Sequence, residues 1–441
     1  MRPLIILILS SLIGAPAASQ DTVVVRSSGP GVWRNPRLVE ELRIGVLDGD
    51  DRYIFGGVSY VEETADGFVW IVDSQGPRVR IYDQSGRYVR DVFRPGAGPG
   101  EIRSVMGIDR TPDGHIAIWD LPNQRVSLYR PNGDYVTAFT SNSSSWIGES
   151  FRVDTAGRHW VFTSVRNPAC IRRVAGSDGT VHEVGSEGPG CQRLAYLRFS
   201  AKGERGLDVP LTQTAPRGTQ QQVGDAAHAD TVFIPIPRDE ERVPGFVIML
   251  PEGPAQPFVP EWDYALSPLG HLVTAHSMRY AINIVPVPGG AQDPGRVTRI
   301  EQTYEPVRLT RGERSDWQAR ADFYTRRNPR SASSGVQVPE VKPALRSVSV
   351  DQDGRVWVDR YVPAVKRSDI DPRPASPDRP PPLTWREPRT FDVFEPSGRF
   401  LGTIVAPPQA RFVWQSGSTL WAVVRGEMDE NYVVRYRLVT N

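Results

Sequence analysis

Along most of this chain apolar and polar residues alternate with a period of two, in short runs broken by turns rich in Gly, Pro, Asp and Asn. That is the pattern of short, half-buried strands joined by hairpins. The clearest stretch covers 54–93. Ser59 to Thr64 alternates, Ala65-Asp66-Gly67 turns, and Phe68 to Asp73 (FVWIVD) reads as a strand. Arg78 to Asp83 (RVRIYD) follows, Gln84-Ser85-Gly86 turns, and Arg87 to Phe93 completes a four-stranded meander. The same order recurs over 106–139, with turns at Pro112-Asp113-Gly114 and Pro131-Asn132-Gly133. A third copy is read through Gly157, Trp160 to Ser164, Ile171 to Val174, Asp178-Gly179 and Thr180 to Val184. Two more centre on Leu269-Gly270 and Asp353-Gly354, the latter ending with Phe391 to Phe394, Pro396-Ser397-Gly398 and Arg399 to Val405.

Fixed offsets bind these copies together. Three positions before the first-turn Gly stand Thr64, Thr111, Asp154, Ser267 and Asp351, each with a short side-chain oxygen able to bond the turn backbone. Three positions after it stand Trp70, Trp160, Val273 and Trp357, large enough to fill the gap to the next unit. At the end of the second strand come Asp73, Asp120, Ser164, His276 and Asp359, and an Arg follows in most copies: Arg78, Arg125, Arg279 and Arg389.

A meander of this size cannot bury both faces alone, so copies must stack, and four-stranded meanders stack radially into a ring with few free edges. The expected fold is all-β, a β-propeller of four-stranded antiparallel blades occupying 20–441 as a single domain. The last unit offers only Ala410 to Trp414, Leu420 to Val424 and Asn431 to Leu438, and Arg37 to Val46 (RLVEELRIGV) is the strand that would complete it and close the ring. Six blades are favoured. Segment 191–259 reads as an elaboration, or as a degenerate seventh blade: Gly188-Pro189-Gly190 precedes it and Ser200 stands three before Gly203, but its later part, with Val232 to Ile236 and Phe246 to Leu250, keeps none of the Trp, Asp or Arg markers.

Composition agrees and adds exclusions. Gly and Pro stand at 40 each, the punctuation of many tight turns. Lys plus Arg (52) nearly cancel Asp plus Glu (51), which argues against a protein built to grip nucleic acid. Residues 1–19 combine Arg2, an apolar run from Leu4 to Ile13 and small residues at Ala15 and Ala17, the build of a secretory signal peptide. No later apolar stretch reaches the ~18 residues of a membrane helix, so the expectation is an exported monomer, periplasmic or secreted. In an oxidising compartment the two cysteines, Cys170 and Cys191, are expected to form a disulfide.

Two insertions stand out. Thr310-Arg311-Gly312-Glu313 has capping-box spacing and opens a helix to about Arg327 inside 309–343, with Trp317, Ala321 and Tyr324 on one face. It either packs on the rim or covers a site. Residues 361–389 carry eight prolines and sit between two strands of one blade, as a disordered loop or a partner contact.

Candidate chemistry lies at the second-strand ends. Asp73, Asp120, His276 and Asp359 would converge near one mouth of a central channel, with Arg78, Arg125 and Arg279 beside them. Carboxylates with an imidazole can hold a divalent cation or exchange protons. The alternative is that each Asp pairs with its own blade's Arg, as Asp73 with Arg78 and Asp120 with Arg125. No cofactor is otherwise implied, and no metal site is assigned. His115, His159 and His271 follow the first-turn glycines and belong on the opposite rim. No spacing for a serine hydrolase elbow, a zincin helix or a P-loop occurs.

The run Gly98-Pro99-Gly100-Glu101-Ile102 through MGIDRTPDGHIAIWDLPNQRVSLYRPNGDYV resembles the NHL-repeat, six-bladed β-propeller family. The likeness lies in the turn Gly, Asp120, Asn123, Arg125, Tyr129 and the Pro131-Asn132-Gly133 turn. It implies the fold and leaves the function open, because such propellers host binding proteins, lyases and lactonases alike. Two functions follow: a scaffold that binds a small ligand or a protein, or a metal-dependent hydrolase or lyase at the channel mouth.

Overall fold

The computed structural model describes residues 22–27, 29–75, 78–92, 94–141, 151–166, 171–175, 181–185, 192–206, 209–210, 257–258, 260, 262–287, 296–327, 338–368 and 379–440. Strands β1 (Thr22–Ser27) and β2 (Arg37–Ile44) precede the first blade. Blade 1 is β3 to β6: Val58–Glu63, Val69–Asp73, Arg78–Tyr82 and Tyr88–Asp91. Blade 2 is β7 to β10: Gly107–Arg110, Ile116–Asp120, Arg125–Tyr129 and Tyr135–Thr140. Blade 3 uses β11 (Phe151–Val153) and β12 (His159–Arg166), then skips the hairpin β13–β14 (Ile171–Ala175, Val181–Gly185) and resumes with β15 (Gln192–Phe199) and β16 (Val209–Pro210). Blade 4 is β17 to β20: Trp262–Leu266, His271–His276, Ala281–Pro286 and Val297–Gln302. Helix α1 (Arg311–Arg327) follows. Blade 5 is β21 (Leu345–Val350), β22 (Val356–Arg360), β25 (Thr390–Phe394) and β26 (Phe400–Val405), with the two-residue strands β23 (Val365–Lys366) and β24 (Trp385–Arg386) between its second and third. Blade 6 is β27 to β29: Ala410–Ser416, Thr419–Arg425 and Asn431–Val439, completed by β2.

The ring therefore has six blades among the described residues, and it closes as expected: Arg37 pairs with Val439 and Ile44 with Val433, antiparallel. The first hairpins of blades 1 to 5 are two-bond turns. In blade 1, Gly67 N–H donates to Thr64 O at 3.0 Å and Thr64 N–H donates to Phe68 O at 2.9 Å, and blades 2 to 5 repeat the first contact at Gly114, Gly157, Gly270 and Gly354. The short oxygens do the work foreseen for them. Asp154 Oδ1 accepts from the N–H groups of Ala156 and Arg158 at 3.0 Å, and Asp351 Oδ1 accepts from Asp353 at 3.0 Å and Arg355 at 2.8 Å. Trp160 and Trp357 are fully buried, and their Nε1 groups donate to Asp154 and Asp351 at 2.8 and 2.9 Å. Both rings pack between blades: Trp160 lies with Leu266 and Leu272 of blade 4, and Trp357 with Leu420 and Ala422 of blade 6.

Three sequence expectations need correction. Ile171–Ala175 and Val181–Gly185 pair only with each other among the described strands, so they form an inserted hairpin; the third strand of blade 3 is β15, paired with β12 from His159↔Phe199 to Arg166↔Gln192. The front of 191–259 is thus part of blade 3, and Gly203 closes that blade's second turn with its N–H on Ser200 O at 2.9 Å. The misreading arose because the insertion is itself a hairpin and repeats the local period of two. Helix α1 has its capping box, with Glu313 N–H on Thr310 Oγ1 at 3.2 Å and Thr310 N–H on Glu313 Oε2 at 2.8 Å. Its buried positions, however, are Glu313, Ala321 and Phe323, whereas Tyr324 is exposed. The end of the Pro-rich segment is ordered against this helix: Thr384 N–H and Oγ1 both donate to Asp316, at 2.5 and 2.7 Å. Cys170, Cys191 and the leader 1–19 lie outside the described residues.

One feature had no sequence signal. Strand β1 adds to the outer edge of blade 4, parallel to β20 from Thr22↔Val297 to Ser27↔Gln302, in sheets that are otherwise antiparallel. The chain then crosses to blade 5, where Trp33 N–H donates to Leu401 O at 2.7 Å, and enters blade 6 as β2. The N-terminal arm therefore laces three consecutive blades along their outer edge.

Candidate functional site

Meander topology divides the propeller into two ends. The Gly turns between first and second strands lie at one end, the turn end. Links between second and third strands, and from one blade to the next, lie at the other. The four largest insertions, 167–191, 211–261, 303–344 and 361–389, all join strand ends on that second side, the loop end.

The innermost strands carry a charged set that spans the axis near the turn end. Glu62 and Asp109 come from blades 1 and 2, and each is 1% exposed. Arg152 of blade 3 lies 3.7 Å from Asp109 Oδ2 and donates through Nη2 to Val350 O of blade 5 at 2.7 Å. Gln352, at the first turn of blade 5, donates through Nε2 to Asp109 Oδ1 at 3.1 Å and reaches Glu62 Oε2 at 3.5 Å. Blades 2 and 5 are opposite in a ring of six, so the Gln352–Asp109 contact crosses the axis. Asp109 also accepts the N–H groups of Arg110 (2.9 Å) and Val153 (2.7 Å). Glu62 differs. Burial first, then the neighbouring Asp109 charge, push its carboxyl well above the ordinary glutamate range, and Oε1 is buried without a hydrogen-bond partner. The axis is thereby plugged at the turn end by two buried acidic side chains, a guanidinium and an amide.

The residues singled out from sequence occupy the loop end, where most of them anchor loops. Asp73 accepts the N–H groups of Gly57 and Gly56 at 2.9 Å and of Gln75 at 3.1 Å. Arg78 faces Asp73 in the strand register, and its side chain lies outside the described set. Asp120 accepts from Arg103 N–H (2.9 Å), Ser104 N–H (3.3 Å) and the Asn123 side-chain amide (2.7 Å). Its expected partner Arg125 points elsewhere, donating to Ala97 O at 2.9 Å, to Gly98 O at 2.8 Å and to Glu101 O. The pair acts on one loop from two chemistries, the carboxylate taking its N–H groups and the guanidinium its carbonyls. Asp359 does meet its blade's Arg389, at 2.5 Å, and Arg346 lies 3.5 Å away. Burial raises the Asp359 pKa, and the two guanidinium charges oppose that shift. Arg346 in turn meets Glu387 at 2.5 Å, and Lys342, with no side-chain exposure, bridges Glu313 (2.6 Å) and Glu387 (2.7 Å). This chain of charges fastens helix α1 and the Pro-rich segment to blade 5.

His276 is the exception. It is buried, its Nε2 has no hydrogen-bond partner, and the Trp262 ring stands edge-on at 5.1 Å. Burial lowers its pKa first and the nearby Arg279 charge adds to that, so the imidazole is held neutral. Among the described residues no three His, Cys, Asp or Glu side chains stand where they could share a metal ion. On the turn end His115 Nδ1 pairs with Asp113 at 2.9 Å, and His159 is packed between Phe139 and Phe151 with its pKa lowered by burial to about 4.

Two cavities bear on binding. One of about 750 Å³ lies at the turn end under Trp33, but its charges are spent on one another: Arg355 on Asp351 (2.6 Å) and Asp353 (3.0 Å), Glu395 on Arg399. The other, about 470 Å³, opens at the loop end between blades 6 and 1, and Gln75, Gln409, Arg411, Arg425 and Asn431 supply its polar lining.

Sequence reading missed the axial set, although a signal exists. Two positions before the turn anchors Thr64, Thr111 and Asp154 stand Glu62, Asp109 and Arg152, charged residues in three successive inner strands where the period of two alone asks only for alternation.

No family model matches the chain, and no curated protein does. Solved structures share its architecture. A Bacteroides fragilis protein described as exported is 10% identical, with 95% of this chain and 100% of that one covered at a TM-score of 0.44. A member of the DUF4221 family from Bacteroides vulgatus is 10% identical, with 92% and 99% covered at 0.46. Virginiamycin B lyase from Staphylococcus aureus is 11% identical, with 92% and 100% covered at 0.39. Likeness at this level concerns fold alone. No helix among the described residues is long and apolar enough to cross a membrane.

Proposed function

We propose that this protein is an exported binding scaffold, a propeller that receives a small molecule or a protein segment at its loop end. The observation that carries this reading is the asymmetry of the ring. Arg152 and Gln352 cross the axis at the turn end, and the four largest insertions leave from the opposite end, so approach to the channel is from the loop side. Export rests on the leader read in 1–19. The sequence-read residues fit as builders of that end: Asp73 and Asp120 with Arg125 hold loops, Asp359 is paired with Arg389, and His276 keeps a polar atom for a ligand. A metal-dependent hydrolase or lyase would need several carboxylate oxygens free to ligate at one point; both oxygens of Asp73 and Asp120 already accept N–H groups, and Asp359, whose oxygens accept no hydrogen bond, faces the guanidinium groups of Arg346 and Arg389.

The test is a thermal-shift screen of residues 20–441 against organic acids, sugars, nucleotides and short peptides. A stabilising compound should raise Tm in the unaltered chain and in Thr298→Trp, which fills the turn-end cavity, but not in Arg425→Trp, which fills the loop-end one. The opposite pattern would sink the reading, as would turnover of the stabilising compound.

A further inference from the structure

The loop-end cavity has a polarity that narrows its ligand. Two guanidinium and three amide side chains line it, and no carboxylate is among its lining residues. The turn-end cavity, by contrast, mixes Arg355 with Asp353 and Glu395 and is neutralised internally. Arg411 projects from the inner strand of blade 6 and donates through Nη2 to Val58 O of blade 1 at 2.6 Å, a contact that fixes the guanidinium plane against the next blade. Arg425 comes from the end of the adjacent strand; its acidic neighbour, Asp429, stands 3.7 Å away with 82% of its side chain exposed, a screened pair of little strength. Asn431 Nδ2 donates to Gly56 O at 3.0 Å and to Phe55 O at 3.4 Å, so its amide is spent on the blade 6–blade 1 junction and holds that wall of the cavity in place. Gln409, beside them, holds φ 60, a left-handed conformation that only a well-determined loop imposes on a residue with a Cβ. Oriented guanidinium groups with amide donors match an oxyanion, whose oxygens accept two or more charge-assisted bonds at once. A volume of about 470 Å³ suits a small molecule.

Resting on the loop-end reading above, we infer that the cavity between blades 6 and 1 binds a small oxyanionic ligand, a carboxylate or phosphate, through Arg411 and Arg425 with the side-chain amides of Gln75 and Gln409. Arg411 is the central group because its fork is already oriented; Arg425 closes the outer side.

Calorimetric titration of residues 20–441 with inorganic phosphate and, separately, with citrate at low salt tests this. The expected result is saturable one-site binding of at least one anion, weakened about tenfold or more by Arg411→Gln and by Arg425→Gln and unchanged by Arg355→Gln at the opposite end. Tighter citrate assigns the ligand to carboxylic acids, tighter phosphate to phosphorylated compounds. Should Arg411→Gln lower Tm through its lost contact with Val58, the Arg425→Gln result decides, because among the described residues that side chain pairs with an exposed acid, Asp429. Absence of saturable binding by both anions overturns the oxyanion assignment and leaves the loop-end scaffold standing wherever the screen yields a ligand blocked by Arg425→Trp. Anion binding that survives both loop-end substitutions but is lost in Arg355→Gln overturns both.

Discussion

Glu62 shows how one buried carboxyl can tie the behaviour of a large ring to pH. Its carboxyl group is withdrawn from water, faces Asp109, and is held above its ordinary value of 4.5. A group whose folded-state pKa is raised contributes stability that is fully present below its unfolded pKa and is lost as pH climbs through the folded one. Glu62→Gln, which imitates the protonated form, should therefore match the unaltered chain near pH 4. Above about pH 4.5 it should become the more stable protein, by at most about 1.4 kcal/mol per pH unit until the folded pKa is passed. Melting both proteins from pH 4 to 8 measures this directly. A difference that stays flat with pH would mean that Glu62 is solvated and that the axial plug is looser than its contacts imply.

At the scale of elements, helix α1 and the Pro-rich segment are joined to blade 5 by charge more than by apolar area. The helix buries Ala321 and Phe323, but its firmest tie is Glu313, whose second oxygen meets the fully buried Lys342. Burial opposes the Glu313 charge, yet the Lys342 ammonium and the Thr310 N–H outweigh it and lower the pKa. Removing one partner of such a pair leaves a buried charge behind, at a cost of about 3–5 kcal/mol. Lys342→Ala should accordingly release the helix and the segment from 379 to 389, read as new trypsin cleavage within 303–344 or 361–389, while Glu313→Gln added to it restores part of the protection. Unchanged cleavage in Lys342→Ala would show that apolar packing alone holds the helix. The existence of α1 was legible because a capping box is local, two residues three apart. Its buried face was not, because Glu313 goes inward on account of Lys342, 29 positions later, and no apolar periodicity records a buried ion pair. The hairpin at 171–185 was misassigned for the related reason that a period of two marks a strand without marking which sheet owns it.

For the whole molecule, the repeat offsets and the incomplete last blade carried the ring and its closure, since each depends on turn chemistry repeated in the sequence at Thr64, Thr111, Asp154, Ser267 and Asp351. The parallel strand β1 and the crossing at Trp33 were illegible, as they answer to free outer edges that exist only once the blades are stacked. That difference separates two roles within one N-terminal stretch. Strand β2 supplies the fourth strand of blade 6 and covers the edge of β29; without it the ring opens at an unpaired edge, a site for association with other chains. Strand β1 and Trp33 brace blades that are already complete, and they lie on the outside, where Val23 and Val24 are 42% and 40% exposed. Starting the chain at residue 37 should therefore give a monomeric, folded propeller whose Tm is lower by a few degrees, the shift that loss of about 1–2 kcal/mol produces in a domain of this size. Starting it at residue 47 should give a chain that elutes as aggregate and has no cooperative melt. Size-exclusion chromatography with calorimetry separates the cases: if both truncations behave alike, whether both folded or both aggregated, then closure through blade 6 and bracing along the rim are not distinct functions of the arm.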